Sequence, residues 1–145
     1  MLQYYEQDKL EVGIDEVGRG CLFGPVVIGG VIWPQEEPLS NYTLKDSKKC
    51  TSKERNQLRE YIESYSLAHT VQMISEKEVD TYNILQSTMK GMHLCIDKII
   101  EEINIDTILV DGNYFPFYTD KENFEVIPHV CVTHGDNHYK SIAAA

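Results

Sequence analysis

Apolar and polar positions along the chain fall into blocks that predict strands and helices in turn. Residues 10–14 (LEVGI) form a short apolar stretch that ends at Asp15 and Glu16, with a glycine-rich turn, Gly18-Arg19-Gly20, just beyond. Residues 25–33 (PVVIGGVIW) are β-branched and apolar, which predicts a buried strand with an irregularity at Gly29-Gly30. The turn between the two stretches suits an antiparallel hairpin. Residues 34–41 are polar, carry two prolines and read as a loop.

Further along, Thr51 with Glu54 three residues later is a capping box. It predicts a helix to about Ser64, with Leu58, Ile62 and Tyr65 on one face. Residues 66–74 (SLAHTVQMI) read as a strand, and Ser75 with Glu78 caps a short helix. The clearest helix begins near Asn83, where Leu85, Met89, Met92, Ile96, Ile99 and Ile103 recur at steps of three and four and predict a stripe facing a sheet. Residues 107–110 predict a short strand leading into Asp111-Gly112-Asn113, residues 114–123 a loop, and residues 124–132 a strand that Pro128 moves to a sheet edge. Residues 141–145 (SIAAA) start a helix without a C-terminal cap, which reads either as a frayed tail or as the cut end of a fragment.

At 145 residues the chain is expected to form one domain, residues 1–145, large enough to be stable without disulfides or a structural metal. Its 23 acidic residues against 13 Lys and Arg give a formal charge of −10, opposite in sign to an indiscriminate nucleic-acid binder. Nucleic-acid contact must therefore be local or bridged by cations. No apolar run reaches the roughly 18 residues of a membrane helix, and the polar, acidic N-terminus reads as no signal peptide. Cys21, Cys50, Cys95 and Cys131 are scattered without a CxxC and predict reduced thiols in a cytoplasmic protein.

Candidate chemistry lies where apolar strands end in acids. Ile14 leads to Asp15-Glu16, Val110 to Asp111, and Val132 shortly to Asp136. Carboxylates gathered at one sheet edge repel one another unless cations neutralise them, and hard oxygen donors suit Mg²⁺ or Mn²⁺. Four carboxylates would balance two divalent ions, the arrangement used for phosphodiester hydrolysis. Neighbours on a regular strand point to opposite faces, so Asp15 and Glu16 can share a site only if the strand bends, as Gly18 and Gly20 would permit. The glycines otherwise make an ordinary tight turn, and residues 44–49 (LKDSKK) an ordinary charged loop or a phosphate-holding one. His129, Cys131, His134 and His138 fall within ten residues, but without a partnering CxxC they predict strand and loop rather than a zinc site. His134 and His138 flank Asp136 and could sit near the acidic site; His69 and His93 fit no pattern.

Five blocks taken together resemble type 2 ribonuclease H, the ribonuclease HII family. Residues 13–26 (GIDEVGRGCLFGPV) resemble its N-terminal signature and residues 44–49 its second block. Residues 79–86 (VDTYNILQ) resemble the third, residues 109–113 (LVDGN) the fourth, and Gly135-Asp136 with residues 141–145 the fifth. The order and rough spacing agree along nearly the whole chain. The resemblance implies an α/β, ribonuclease H-like fold with a mixed central sheet flanked by helices, hydrolysis of the RNA strand of RNA/DNA hybrids, and incision 5′ of ribonucleotides embedded in duplex DNA, leaving 3′-hydroxyl and 5′-phosphate ends. It implies Asp15, Glu16, Asp111 and Asp136 as the metal-binding catalytic carboxylates, with two Mg²⁺ or Mn²⁺ ions during catalysis. Gly18, Arg19 and Gly20 would contact the ribose 2′-hydroxyl, the group that distinguishes RNA from DNA, and Lys48 a phosphate. The implied partner is an RNA/DNA hybrid or ribonucleotide-containing DNA, with no membrane, for a cytoplasmic monomer.

Departures from the pattern are also visible. The family continues past the alanines into helices that carry a substrate-stacking tyrosine and much of the basic surface. His134 stands where a lysine is frequent, Phe23 where a small residue is usual, and the segment from Asp111 to Asp136 is longer. The rival expectation is therefore a catalytically silent truncated module that binds nucleic acid or a protein partner. A third is an integrase-like metal nuclease, which would cut all-DNA substrate equally well.

Overall fold

The structure, a computed structural model, describes residues 1–17, 25–38, 42–45 and 47–145. A five-stranded mixed sheet forms its centre. Strand β1 (Glu11–Val17) pairs antiparallel with β2 (Val26–Ile32), which pairs antiparallel with β3 (Ala68–Ile74). On its other side β1 runs parallel to β4 (Thr107–Asp111), and β4 parallel to β7 (His129–Val132), giving the order β3-β2-β1-β4-β7. Between β4 and β7, β5 (Tyr118–Thr119) and β6 (Val126–Ile127) form a separate two-stranded ribbon. The helices are α1 (Ser52–Tyr65), α2 (Glu76–Tyr82), α3 (Ile84–Glu102) and α4 (Lys140–Ala144).

One face of the sheet is covered by α3. Met89, Met92, Cys95, Ile96 and Ile99 pack on Val12, Ile14, Ile28, Ile74, Ile108 and Val110 in one continuous core. The helix begins cleanly because Asn83 accepts a hydrogen bond from the Gln86 N–H. Leu85, expected in the stripe, is instead 41% exposed: it lies in the first turn, before the helix reaches the sheet. Gly91 takes its place in the contact, since a Cβ there would lie 2.7 Å from Ile28 Cγ1. A smaller core on the other face gathers Val31, Trp33, Leu44, Tyr61 and Ala144. Tyr61, not Tyr65, is the buried aromatic of α1; its ring meets Trp33 edge-on at 5.3 Å while Tyr65 remains 45% exposed.

Three further expectations are corrected. Strand β2 pairs without a break through Gly29 and Gly30 on both of its sides, so the glycines mark close approach and not a bulge. The strand expected over residues 124–132 is split at Pro128, which has no N–H to give to a ladder. Its carbonyl accepts from Ile108, and the chain changes sheets there, with β7 at the predicted edge. The loop expected over residues 114–123 contains β5, which β6 pairs with. The three described cysteines form no disulfide, and burial pushes the Cys95 thiol up to about 12. Among the described residues no helix is long and apolar enough to cross a membrane.

Candidate metal centre

Alternation along the two central strands decides which acids can meet. On β1, Val12 and Ile14 enter the core under α3, so Gly13 and Asp15 face the other way. On β4, Ile108 and Val110 enter the same core, leaving Leu109 and Asp111 on the opposite face. The two strands run parallel with Ile14 beside Val110, so Asp15 and Asp111 emerge on one face of adjacent strands.

Asp136 reaches that face by a different route. It lies in the 3-10 turn Gly135–Asn137, entered through His134 in the left-handed conformation, φ 55°. The Gly135 N–H donates to Asp111 Oδ1 at 3.0 Å, which ties the turn to the end of β4. Helix α4 follows at once and lies on β1 so closely that a Cβ on Gly13 would stand 2.3 Å from the Ser141 carbonyl carbon. Ser141 and Ile142 are buried there, so this segment is packed and not frayed. The N-terminal segment braces the same region: Leu2 N–H donates to the His138 carbonyl at 2.7 Å, and Lys140 N–H to the Leu2 carbonyl at 3.0 Å.

The outcome is a group of three carboxylates, Asp15, Asp111 and Asp136, each with an oxygen within 4.8 Å of the others. Glu16, expected as a fourth member, is not in the group. The β1–β2 pairing continues through Val17, and regular alternation would set Glu16 on the face opposite Asp15. Its backbone N–H nevertheless donates to Asp15 Oδ1 at 2.8 Å and orients that carboxylate.

Electrostatics within the group are unfavourable when it holds no cation. The Asp15 carboxyl is pushed up to about 8, first by burial, then by the charge of Asp111, which also shares its proton through a hydrogen bond, with Asp136 adding to the effect. The Glu16 N–H opposes this only in part. A divalent cation would relieve the same repulsion, and an all-oxygen donor set of this kind suits Mg²⁺ or Mn²⁺. The residues present therefore fit such ions.

The other candidates fall elsewhere. Gly18, Arg19 and Gly20 lie outside the described residues. Lys48 is exposed on the 3-10 turn Ser47–Lys49. His129 stacks against Phe115 and Phe117, with ring centroids 5.0 and 5.6 Å apart, and His93 bonds the Pro116 carbonyl. No His or Cys joins a group of three or more possible ligands among the described residues, so neither the 129–138 cluster nor its His134 and His138 contribute to the acidic one. Sequence reasoning missed the two close approaches that seat α4. Gly13 and Gly29 were visible as small residues in strands, but nothing marked α4 as what covers them.

Comparison with known proteins places this geometry. A sequence model of the family described as Ribonuclease HII matches residues 12–145. The Ribonuclease HII of Bacteroides thetaiotaomicron is 42% identical over 145 residues, covering 100% of this chain and 68% of that protein. The chain thus spans about two thirds of that relative's length. Among solved structures, the PCNA:RNase HII complex from Archaeoglobus fulgidus has a chain that superposes with a TM-score of 0.69 at 27% identity, over 94% of this chain and 68% of that one. Bst-RNase HIII in complex with Mn²⁺ superposes with a TM-score of 0.68 at 18% identity, over 94% and 49%, a likeness of fold.

Proposed function

This chain belongs to the ribonuclease HII family of type 2 ribonuclease H endoribonucleases, and from that premise we propose that it hydrolyses the RNA strand of RNA/DNA hybrids and incises 5′ of single ribonucleotides embedded in duplex DNA, leaving 3′-hydroxyl and 5′-phosphate ends. The observation that carries the reading is the meeting of Asp15, Asp111 and Asp136 with oxygens within 4.8 Å. These three would hold Mg²⁺ or Mn²⁺, and such ions supply activation of a water and stabilisation of a leaving oxygen. Three carboxylates fully balance one divalent ion; a second would need the substrate phosphate as a further ligand, which makes two-ion occupancy a property of the complex with substrate.

The chain's own part is to bind and orient. Gly135 N–H fixes Asp111 and Glu16 N–H fixes Asp15, and Asp15 would have to give up its proton to hold a cation. Gly18, Arg19 and Gly20 are assigned to the ribose 2′-hydroxyl at the cleavage point and Lys48 to a backbone phosphate, both by the family pattern. The work this supports is removal of ribonucleotides in DNA replication and repair, by a monomer in the cytoplasm.

The test is cutting of a labelled DNA duplex with one ribonucleotide, with Mn²⁺, with Mg²⁺ and with chelator. Metal-dependent incision on the 5′ side of the ribose, lost in Asp15→Asn and Asp111→Asn while their circular dichroism matches the parent, supports the reading. Parental rates in both variants overturn it. Binding of the duplex without any cutting assigns the chain to the silent-module reading, and equal cutting of an all-DNA duplex to an integrase-like activity.

A further inference from the structure

Cations are segregated along this acidic chain. Residues 45–59 hold six of the 13 Lys and Arg with only Asp46 and Glu54 against them, whereas the rest of the chain sets seven cations against 21 acids. The segment covers the 3-10 turn Ser47–Lys49 and the first half of α1, where Lys45, Lys48, Lys49, Lys53, Arg55 and Arg59 are all exposed. Three of them, Lys45, Arg55 and Arg59, line a cleft of about 480 Å³.

That cleft has an apolar floor with the cations at its rim, and it lies near the candidate metal centre without including its carboxylates. Gly29 lines it, and Gly29 is the β2 partner of Asp15 in the strand register. Adjacent strands lie about 4.8 Å apart, so Gly29 stands one strand from Asp15 on the same face of the sheet, with Ala145 seated over it between the cleft and the carboxylates. Arg55 and Arg59 are one helical turn apart, about 6 Å along the axis. Arg55 is held in place by donating to the Cys50 carbonyl at 3.5 Å and to Ser52 Oγ at 3.2 Å, which leaves other donors of its five for a ligand. Arg59 is balanced by a single exposed acid, Glu63, a pair weak enough to be exchanged for a phosphate, whereas Lys45 is held at 2.5 Å by the half-buried Glu54.

We propose that this strip, centred on Arg55 and Arg59, carries the sugar-phosphate backbone of a nucleic-acid duplex whose scissile ribose lies at Asp15, Asp111 and Asp136. The inference rests on the function proposed above and extends it from the cleavage point to the flanking backbone. Contacts of this kind position a duplex without reading its sequence, and each releases condensed counterions. The strip is the part of an acidic molecule where a polyanion gains attraction, and its nearness to the carboxylate site, through Gly29 beside Asp15, favours a duplex over an acidic protein.

The experiment measures equilibrium binding of a fluorescent RNA/DNA duplex by anisotropy, in chelator so that no cutting occurs, from 25 to 200 mM salt. The variants are Arg55→Gln/Arg59→Gln and, as a control on the remote surface of α3, Lys98→Gln. Loss of two phosphate contacts reduces the slope of log affinity against log salt by about 1.8, with Lys98→Gln unchanged. A slope equal to the parent's in the double variant overturns the proposal. So does a double variant that keeps duplex affinity but loses affinity for poly-glutamate, which would assign the strip to an acidic protein. Thermal melts of both variants report that the fold is intact. Because binding is read without cleavage, the strip can fail while metal-dependent cutting stands, and the reverse.

Discussion

Asp15 bears the conflict at the heart of the site. Its folded-state value of about 8 lies far above the ordinary aspartate value of 3.8, owing to burial and to Asp111. A carboxyl raised in the folded state holds its proton where the unfolded chain has lost it. Its contribution to stability is therefore complete below about pH 4 and declines as pH rises towards 8, by at most about 1.4 kcal/mol per pH unit. In chelator, Asp15→Asn is expected to melt above the parent at pH 8 and level with it at pH 4; a gap that does not grow with pH would contradict the assignment. The same proton must leave when a cation binds. Mn²⁺ binding, followed by calorimetry in two buffers of different ionisation enthalpy at pH 7, is expected to release about one proton, and affinity to rise from pH 6 to pH 8. Release of none would show that Asp15 is already ionised before the cation binds, against the raised value assigned to it.

At the scale of elements, two glycines show how the surroundings of a missing Cβ set its importance. A methyl group on Gly13 meets the backbone of Ser141 and Ile142 at 2.3–2.5 Å and can be accommodated only by lifting α4 and, with it, the turn that carries Asp136. Gly13→Ala is expected to cost about 1–3 kcal/mol or more, and to weaken Mn²⁺ binding, read by melting and titration. Gly91→Ala meets side chains instead, Ile28 Cγ1 at 2.7 Å and Ile74 Cγ1 at 3.2 Å, and an overpacking cost of about 1–3 kcal/mol is offset by about 1 kcal/mol of helix propensity, so its melting point is expected to fall less than that of Gly13→Ala. The contrast marks what was legible in the sequence. Caps and periodicity located α1, α2 and α3, because the signals at Thr51, Ser75 and the Met89–Ile103 stripe are local. Acids at strand ends pointed to Asp15, Asp111 and Asp136. The exclusion of Glu16, the split at Pro128 and the seating of α4 on Gly13 depend on register and on contacts between distant segments, which no local pattern records.

Across the whole molecule the two faces of the sheet are covered unequally. The 19-residue α3 spans one face, whereas α4 contributes five residues to the other. On that second face Gly29 pairs with Val71 and Val27 with Met73, and both β3 side chains are left open, 67% and 64% exposed. Strand β3 is also an outer strand of the sheet, so its free edge and its apolar side chains are offered together. Such an edge is a template for pairing with another copy unless charge intervenes, and β3 itself carries none of Lys, Arg, Asp or Glu. Val71→Glu/Met73→Glu would place two like charges on the same open face, so that a second copy paired along this edge meets repulsion. Because neither side chain is buried, the melting point at low concentration is expected to change little, within about 0.5 kcal/mol for each surface substitution. Light scattering from 10 to 500 μM is then expected to show a monomer at the low end, with association growing towards 500 μM in the parent and less of it in the variant. Equal scattering from both would mean that the repulsion of a chain carrying −10 already keeps the copies apart, and that this edge needs no further protection.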